Sequence, residues 1–120
     1  MAEIEITPTS LVVHITGLDR FLAFKSQLEV PLEHIASVES VVPEAHKIWH
    51  GIRGVGTDLP GVVAAGQFLQ HGEWAFWDVH DPDKAIAIYL RDEKYAKLVI
   101  GVDNPIATAQ AITNAMQQLR

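Results

Sequence analysis

Apolar and polar side chains alternate along much of the chain. Near the N-terminus Ile4 and Ile6 alternate with glutamates, and Val13 and Ile15 continue the same period of two after a Pro-Thr pair. A period of two places successive side chains on opposite faces of a sheet. This segment is therefore predicted to form a β-hairpin.

The same period returns in the second half of the chain. Segments 86–90 and 98–102 alternate in this way and predict a second hairpin. Two more strands are predicted over 61–69 and 74–80, joined by a turn in which Gly72 can take a positive φ. In 74–80 aromatic residues occur at both even and odd positions and would therefore lie on both faces of the strand. This strand requires either a bulge or burial on both faces.

Two segments break the alternating pattern. Asn104 followed by Pro105 is typical of a helix start, and the residues that follow predict a helix from Pro105 to about Leu119. Its apolar stripe consists of Ile106, Ala109, Ile112, Met116 and Leu119. Earlier, the spacing within 17–25 favours a short helix before a strand at Leu28 to Pro31.

Residues 43–60 keep no lasting period and contain several glycines and prolines, which predicts a long loop. Trp49 lies in this segment, and it either folds back onto the core or anchors a protein interface, where Trp and Arg are enriched. The candidate interaction surface consists of Ile48, Trp49, Ile52, Arg53 and Asp58. We expect a protein partner or self-association through this segment.

The predicted elements make one domain over 1–120, with a mainly β fold of seven or eight antiparallel strands and one C-terminal α-helix. Three parts of the sequence carry a family likeness: Val30–Val38, the glycine-rich Arg53–Gly61, and Phe76–Val79 together with Asp103-Asn104-Pro105. In their order and spacing they resemble small bacterial pleckstrin-homology-like (PH-like) proteins. The resemblance implies a barrel capped by the helix and a non-enzymatic binding module, without naming its ligand.

Charge narrows the class of partner. Fifteen Asp and Glu against nine Lys and Arg give a net charge of −6, which argues against nucleic acid and stable membrane association. Lipid head groups need a local excess of positive charge, and Arg20 and Lys25 are diluted by Asp19 and Glu29. The N-terminus is acidic and the apolar runs are short, so we expect a cytoplasmic protein.

The candidate chemistry is sparse. The chain has no cysteine, and Asp78 and His80 share a strand face without a nucleophile beside them in the sequence. His46 and His50 are spaced like zinc ligands but lack a third. We therefore predict no catalytic residue, no metal site and no cofactor.

One alternative remains open. Barrel mouths often bind small ligands, and here the mouth would be lined by Trp77, His80 and Tyr89. In that case the protein would be a small-molecule carrier or an enzyme.

Overall fold

A computed structural model describes the backbone of residues 2–15, 27–43, 52–59, 62–70 and 72–119. Side chains are described over 3–15, 27–43, 66–69 and 72–119. The short helix predicted over 17–25 lies outside the described residues, as do Ile48 and Trp49.

The described part of the chain is mainly β with one C-terminal helix, which confirms the predicted fold class. Its strands are β1 (Ala2–Ile6), β2 (Ser10–Ile15), β3 (Gln27–Pro31), β4 (Ile35–Glu39), β5 (Ile52–Leu59), β6 (Val62–Gln70), β7 (Glu73–Val79), β8 (Ala85–Leu90) and β9 (Lys97–Gly101). A 3₁₀ turn at Leu32–His34 joins β3 to β4, and helix α1 spans Pro105–Gln117.

The strands form two sheets, a three-stranded sheet in the order β1-β2-β3 and a six-stranded sheet in the order β4-β8-β9-β7-β6-β5. Strand β9 lies between β8 and β7 and runs parallel to β7. The prediction of seven or eight strands, all antiparallel, is therefore wrong. Side-chain periodicity reports which face a residue occupies and carries no information about which strand becomes its neighbour. Within the described residues the two sheets do not close into one barrel.

The predicted hairpins are confirmed. Ile4 pairs with Val13 between β1 and β2, and Ile86 pairs with Ile100 between β8 and β9. Strands β6 and β7 pair in one continuous register, and Gly72 takes a φ of 80° in the turn between them.

Strand β5 corrects the predicted loop over 43–60, because residues 52–59 pair with β6. The register shifts between Arg53 and Gly56 and again between Thr57 and Leu59. Each shift changes the phase of the side-chain alternation, and glycine within a strand is typical of such bulges. The glycines thus mark an irregular strand where the sequence pattern indicated a loop.

The six-stranded sheet is buried on both faces at its centre. One face packs against the three-stranded sheet and α1, and its fully buried side chains include Phe76, Ile86, Ile88, Leu98 and Ile100. The opposite face carries a second cluster around Phe68, Ala75, Trp77, Val79, Ala87 and Val99. Of the two alternatives for β7, burial on both faces is the one observed, since its register with β6 contains no bulge.

Helix α1 begins as predicted, with the Asn104 side chain accepting a hydrogen bond from the Ala107 N–H at 3.1 Å. Its contacts are with β4, β8 and the 3₁₀ turn, and they bury Ala109 and Ile112. The predicted apolar stripe is wrong at both ends, where Ile106 and Leu119 are 74% and 46% exposed. The helix touches the sheets through its central turns, so apolar residues at its ends remain in solvent. No helix of the described chain combines the length and apolar character that crossing a bilayer requires.

We predict that Ile112→Ala lowers the free energy of unfolding by about 2–5 kcal/mol, because it leaves a cavity at a fully buried position. The matched control is Ile106→Ala on the exposed part of the same helix, with an expected change within about 0.5 kcal/mol. Urea unfolding of both variants measures the difference. Equal losses would show that α1 packs on the sheets in another orientation.

Candidate functional site

An open groove of about 600 Å³ lies between β1 and the first half of α1. Its lining residues are Glu3, Ile4, Ile6, Val102, Asp103, Asn104, Ala107, Thr108 and Ala111. The wall on α1 consists of small side chains, whereas β1 contributes two isoleucines, of which Ile6 is 37% exposed. We call this feature the β1–α1 groove. Its size falls within the range of known ligand sites.

Strand β1 presents a free backbone edge along the groove. It is the end strand of its sheet in the described part of the chain. The Thr7 N–H donates to the Ser10 carbonyl oxygen at 2.9 Å, which fixes the phase of hydrogen bonding between β1 and β2. Antiparallel pairs alternate between bonded and non-bonded positions, so the N–H and C=O groups of Ile4 and Ile6 point away from β2. Within the described residues no strand pairs with these groups, so they can accept a further strand.

The charge of the groove is negative. Glu3 and Asp103 are exposed carboxylates, and the described residues that line the groove include no Lys, Arg or His. Glu5, next to the groove on β1, has its Oε1 atom 2.9 Å from Nε2 of His14 on β2. The groove thus combines acidic side chains with an aliphatic floor.

The structure describes three of the five predicted interaction residues. Ile52, Arg53 and Asp58 lie on β5, the outer strand of the six-stranded sheet, whereas Ile48 and Trp49 lie outside the described residues. An interaction surface made of these five residues stays a prediction.

The residues of the alternative ligand pocket occupy different surroundings. Trp77 is fully buried, with its ring edge-on to Phe68 at a centroid distance of 6.3 Å. Tyr89 is half-buried and packs against the same cluster, and His80 is half-buried directly after β7. Trp77 is therefore a core residue, and a ligand site at these three side chains stays a prediction.

Asp78 is the one fully buried carboxylate among the described residues. It lies on β7, where its neighbours in the sheet are Ala65 of β6 and Ile100 of β9. The backbones of β7 and β9 approach closely here, because a Cβ on Gly101 would lie 3.3 Å from the Asp78 carbonyl oxygen. No group of three potential metal ligands occurs among the described residues.

Tyr95 is a buried residue with a polar hydroxyl group. It packs against Phe76 at a centroid distance of 5.7 Å, and among the described residues its hydroxyl has no hydrogen-bond partner. Burial raises the pKa of this hydroxyl above its ordinary value.

The sequence pattern predicts Asn104 as a cap and Ile4 and Ile6 as strand residues, but it does not predict that they line one groove. The available signal was the run of small residues Ala107, Thr108 and Ala111, which lie off the apolar stripe of α1. Small side chains on one helix face leave space against a neighbouring element. Only the packing of α1 shows that β1 is that neighbour.

Comparison of the chain with known protein families, with curated proteins and with solved structures gives no match.

We predict that Tyr95→Phe leaves the free energy of unfolding at pH 7 unchanged or raises it by up to about 1 kcal/mol, since it removes a buried hydroxyl without a partner. Above about pH 10 the unfolded chain ionises Tyr95 before the folded chain does. The wild type should therefore lose stability there faster than the variant. Urea unfolding between pH 7 and about pH 11 measures both effects.

The matched control is Tyr89→Phe, at the half-buried tyrosine. A Tyr95→Phe variant that is clearly destabilised at pH 7 would indicate that the hydroxyl has a partner. If the Tyr95→Phe variant lost as much stability at alkaline pH as the wild type does, the raised pKa of Tyr95 would be contradicted.

Proposed function

We propose that this protein is a non-enzymatic binding module that recognises a segment of another protein in the β1–α1 groove. The single observation that carries the proposal is the open groove, which runs beside a free strand edge and has an aliphatic floor of Ile4 and Val102. A polypeptide uses both features, because its backbone pairs with a strand edge and its side chains fill the adjoining space.

The chemistry of the lining supports a protein ligand over a lipid head group. Glu3 and Asp103 would repel an anionic phosphate, whereas the electrostatic attraction that holds head groups comes from lysine and arginine. The groove is also open to solvent, so a segment of another protein can enter it.

The PH-like barrel stays a proposal for the finer description of the fold. Two packed sheets followed by one C-terminal helix support it. The parallel pairing of β7 with β9 counts against it. An experimental structure of the whole chain would distinguish a closed PH-like barrel from two separate sheets.

We predict that filling the groove abolishes peptide binding. Ala107→Trp with Ala111→Trp places two large side chains on the wall of α1, at exposed positions where the fold tolerates them. Peptides selected from a random displayed library on the wild type should lose at least about tenfold in affinity for this variant. Fluorescence titration measures the dissociation constants.

The control variant carries Gln110→Trp and Gln117→Trp, which add the same side chains to exposed parts of α1 outside the groove. It should bind the selected peptides like the wild type. No enrichment from the library, or equal affinity for all three proteins, would contradict the proposed function.

A second candidate function is self-association through the 43–60 segment. The observation that favours it is the position of β5, which carries Ile52, Arg53 and Asp58 at the edge of the six-stranded sheet in the described chain. An unpaired edge strand is a ready template for pairing with another copy.

We predict that the chain forms dimers at high micromolar concentration and that Trp49→Ala with Arg53→Ala weakens them by about tenfold, since Trp and Arg often dominate interface energy. Sedimentation equilibrium measures the dimer dissociation constant of the wild type and of this double variant. The control is Lys84→Ala, which changes an exposed lysine. A monomeric wild type over the whole concentration range would contradict self-association.

A further inference from the structure

We infer that the occupant of the β1–α1 groove is an extended, basic segment of a partner protein, which adds to β1 as a fourth strand of the three-stranded sheet. This inference rests on the proposed function and specifies its ligand. Three observations carry it: the direction of the β1 backbone groups, the charge of the lining, and the charge pattern of β1 itself.

The backbone groups determine the conformation of the ligand. The N–H and C=O groups of Ile4 and Ile6 point away from β2, and both residues line the groove. Groups spaced by two residues along a strand match the donors and acceptors of an extended backbone. A helical ligand bonds its own backbone groups internally and leaves those of β1 unpaired.

The lining determines the charge of the ligand. Glu3 and Asp103 border the groove from opposite sides, on β1 and directly before α1. The described lining adds no cation to balance them. Lysine or arginine side chains on a bound segment complement both carboxylates, whereas glutamate or aspartate would be repelled by them.

The charge pattern of β1 argues against a second copy as the occupant. A symmetric dimer would pair β1 with itself in antiparallel fashion. With Ile4 opposite Ile4, Glu3 faces Glu5 twice; with Ile4 opposite Ile6, Glu5 faces Glu5. With Ile6 opposite Ile6, Ile4 meets Pro8, which has no N–H to donate. Like charges directly opposite each other in a sheet destabilise the pairing. The same glutamates favour a strand with basic residues at those positions.

Together these features define the ligand's sequence pattern. Strand side chains alternate between faces, so a bound segment presents basic residues on the face of Glu3 and Glu5. Its intervening residues lie on the face of Ile4 and Ile6, which suits aliphatic side chains. The expected ligand therefore alternates lysine or arginine with residues such as valine.

The experiment titrates the full chain with a seven-residue peptide of alternating lysine and valine, capped at both ends. The comparison peptide has glutamate in place of lysine. Amide NMR spectra follow binding by residue, and hydrogen exchange reports backbone protection. We expect the lysine peptide to shift resonances of residues 3–6 and 102–111 and to slow exchange of the Ile4 and Ile6 amides. The glutamate peptide should bind at least about tenfold more weakly.

Variants test whether the charge acts locally. Glu3→Lys with Asp103→Lys should reverse the preference between the two peptides. The control, Glu39→Lys with Glu73→Lys, makes the same change in net charge at exposed positions outside the groove. It should retain the preference of the wild type. Thermal unfolding of each variant shows whether it is folded.

Four results would overturn the inference: no binding of the lysine peptide, equal binding of both peptides, equal effects of the two variants, or protection of Ile4 and Ile6 that rises with protein concentration alone. The last result would identify a second copy as the occupant.

The proposed function fails separately, when the groove-filling variant binds the library-selected peptides normally. Selected peptides that are acidic or helical but still depend on the groove would leave the proposed function in place and refute the basic strand.

Discussion

Burial of the six-stranded sheet on both faces is the constraint on which the rest of this structure depends. Strands β7, β9 and β8 lie side by side at its centre, with Trp77 and Val99 fully buried on one face and Phe76 and Ile100 fully buried on the other. Each of these strands therefore needs apolar side chains at successive positions. Parallel pairing is commonest where both faces of a sheet are covered, as at β7 and β9.

This arrangement determines where the smaller elements pack. The three-stranded sheet and α1 together cover one face of the larger sheet, with α1 over β4, β8 and the 3₁₀ turn. His34 in that turn holds the β8–β9 connection, because its side chain contacts Glu93 at 2.5 Å and its carbonyl accepts the Arg91 N–H at 2.8 Å. Strand β1 and the first turns of α1 line a common space. The β1–α1 groove is the space between them.

Residues that line the groove also have structural roles in the fold. Asn104 caps α1, and Ile4 packs against the main core from the edge of its sheet. Glutamates on an edge strand discourage pairing between identical copies. The same acidic edge remains open to a strand of opposite charge. Under the proposed function, protection against self-pairing and selection of a basic partner are two effects of one charge pattern.

Much of the local structure was predictable from sequence. The periods of 86–90 and 98–102, the cap at Asn104 and the turn at Gly72 depend on residues close together in the chain, and they agree with the structure. Strand β5 was not predictable in this way, because its bulges interrupt the alternation. For the candidate site, the strand residues of β1 and the start of α1 were predictable, but the groove between them was not.

The sequence by itself determined the mainly β class, most strand positions, the start of α1 and the negative charge, since all of these arise from local spacing or composition. Tertiary structure alone decided that β9 enters between β8 and β7, that Ile106 remains exposed, and that β1 lies across a groove from Ala107. The reason is physical: hydrophobic burial specifies that a face must be covered but not by which element. The covering element is selected by the combined packing of the whole chain.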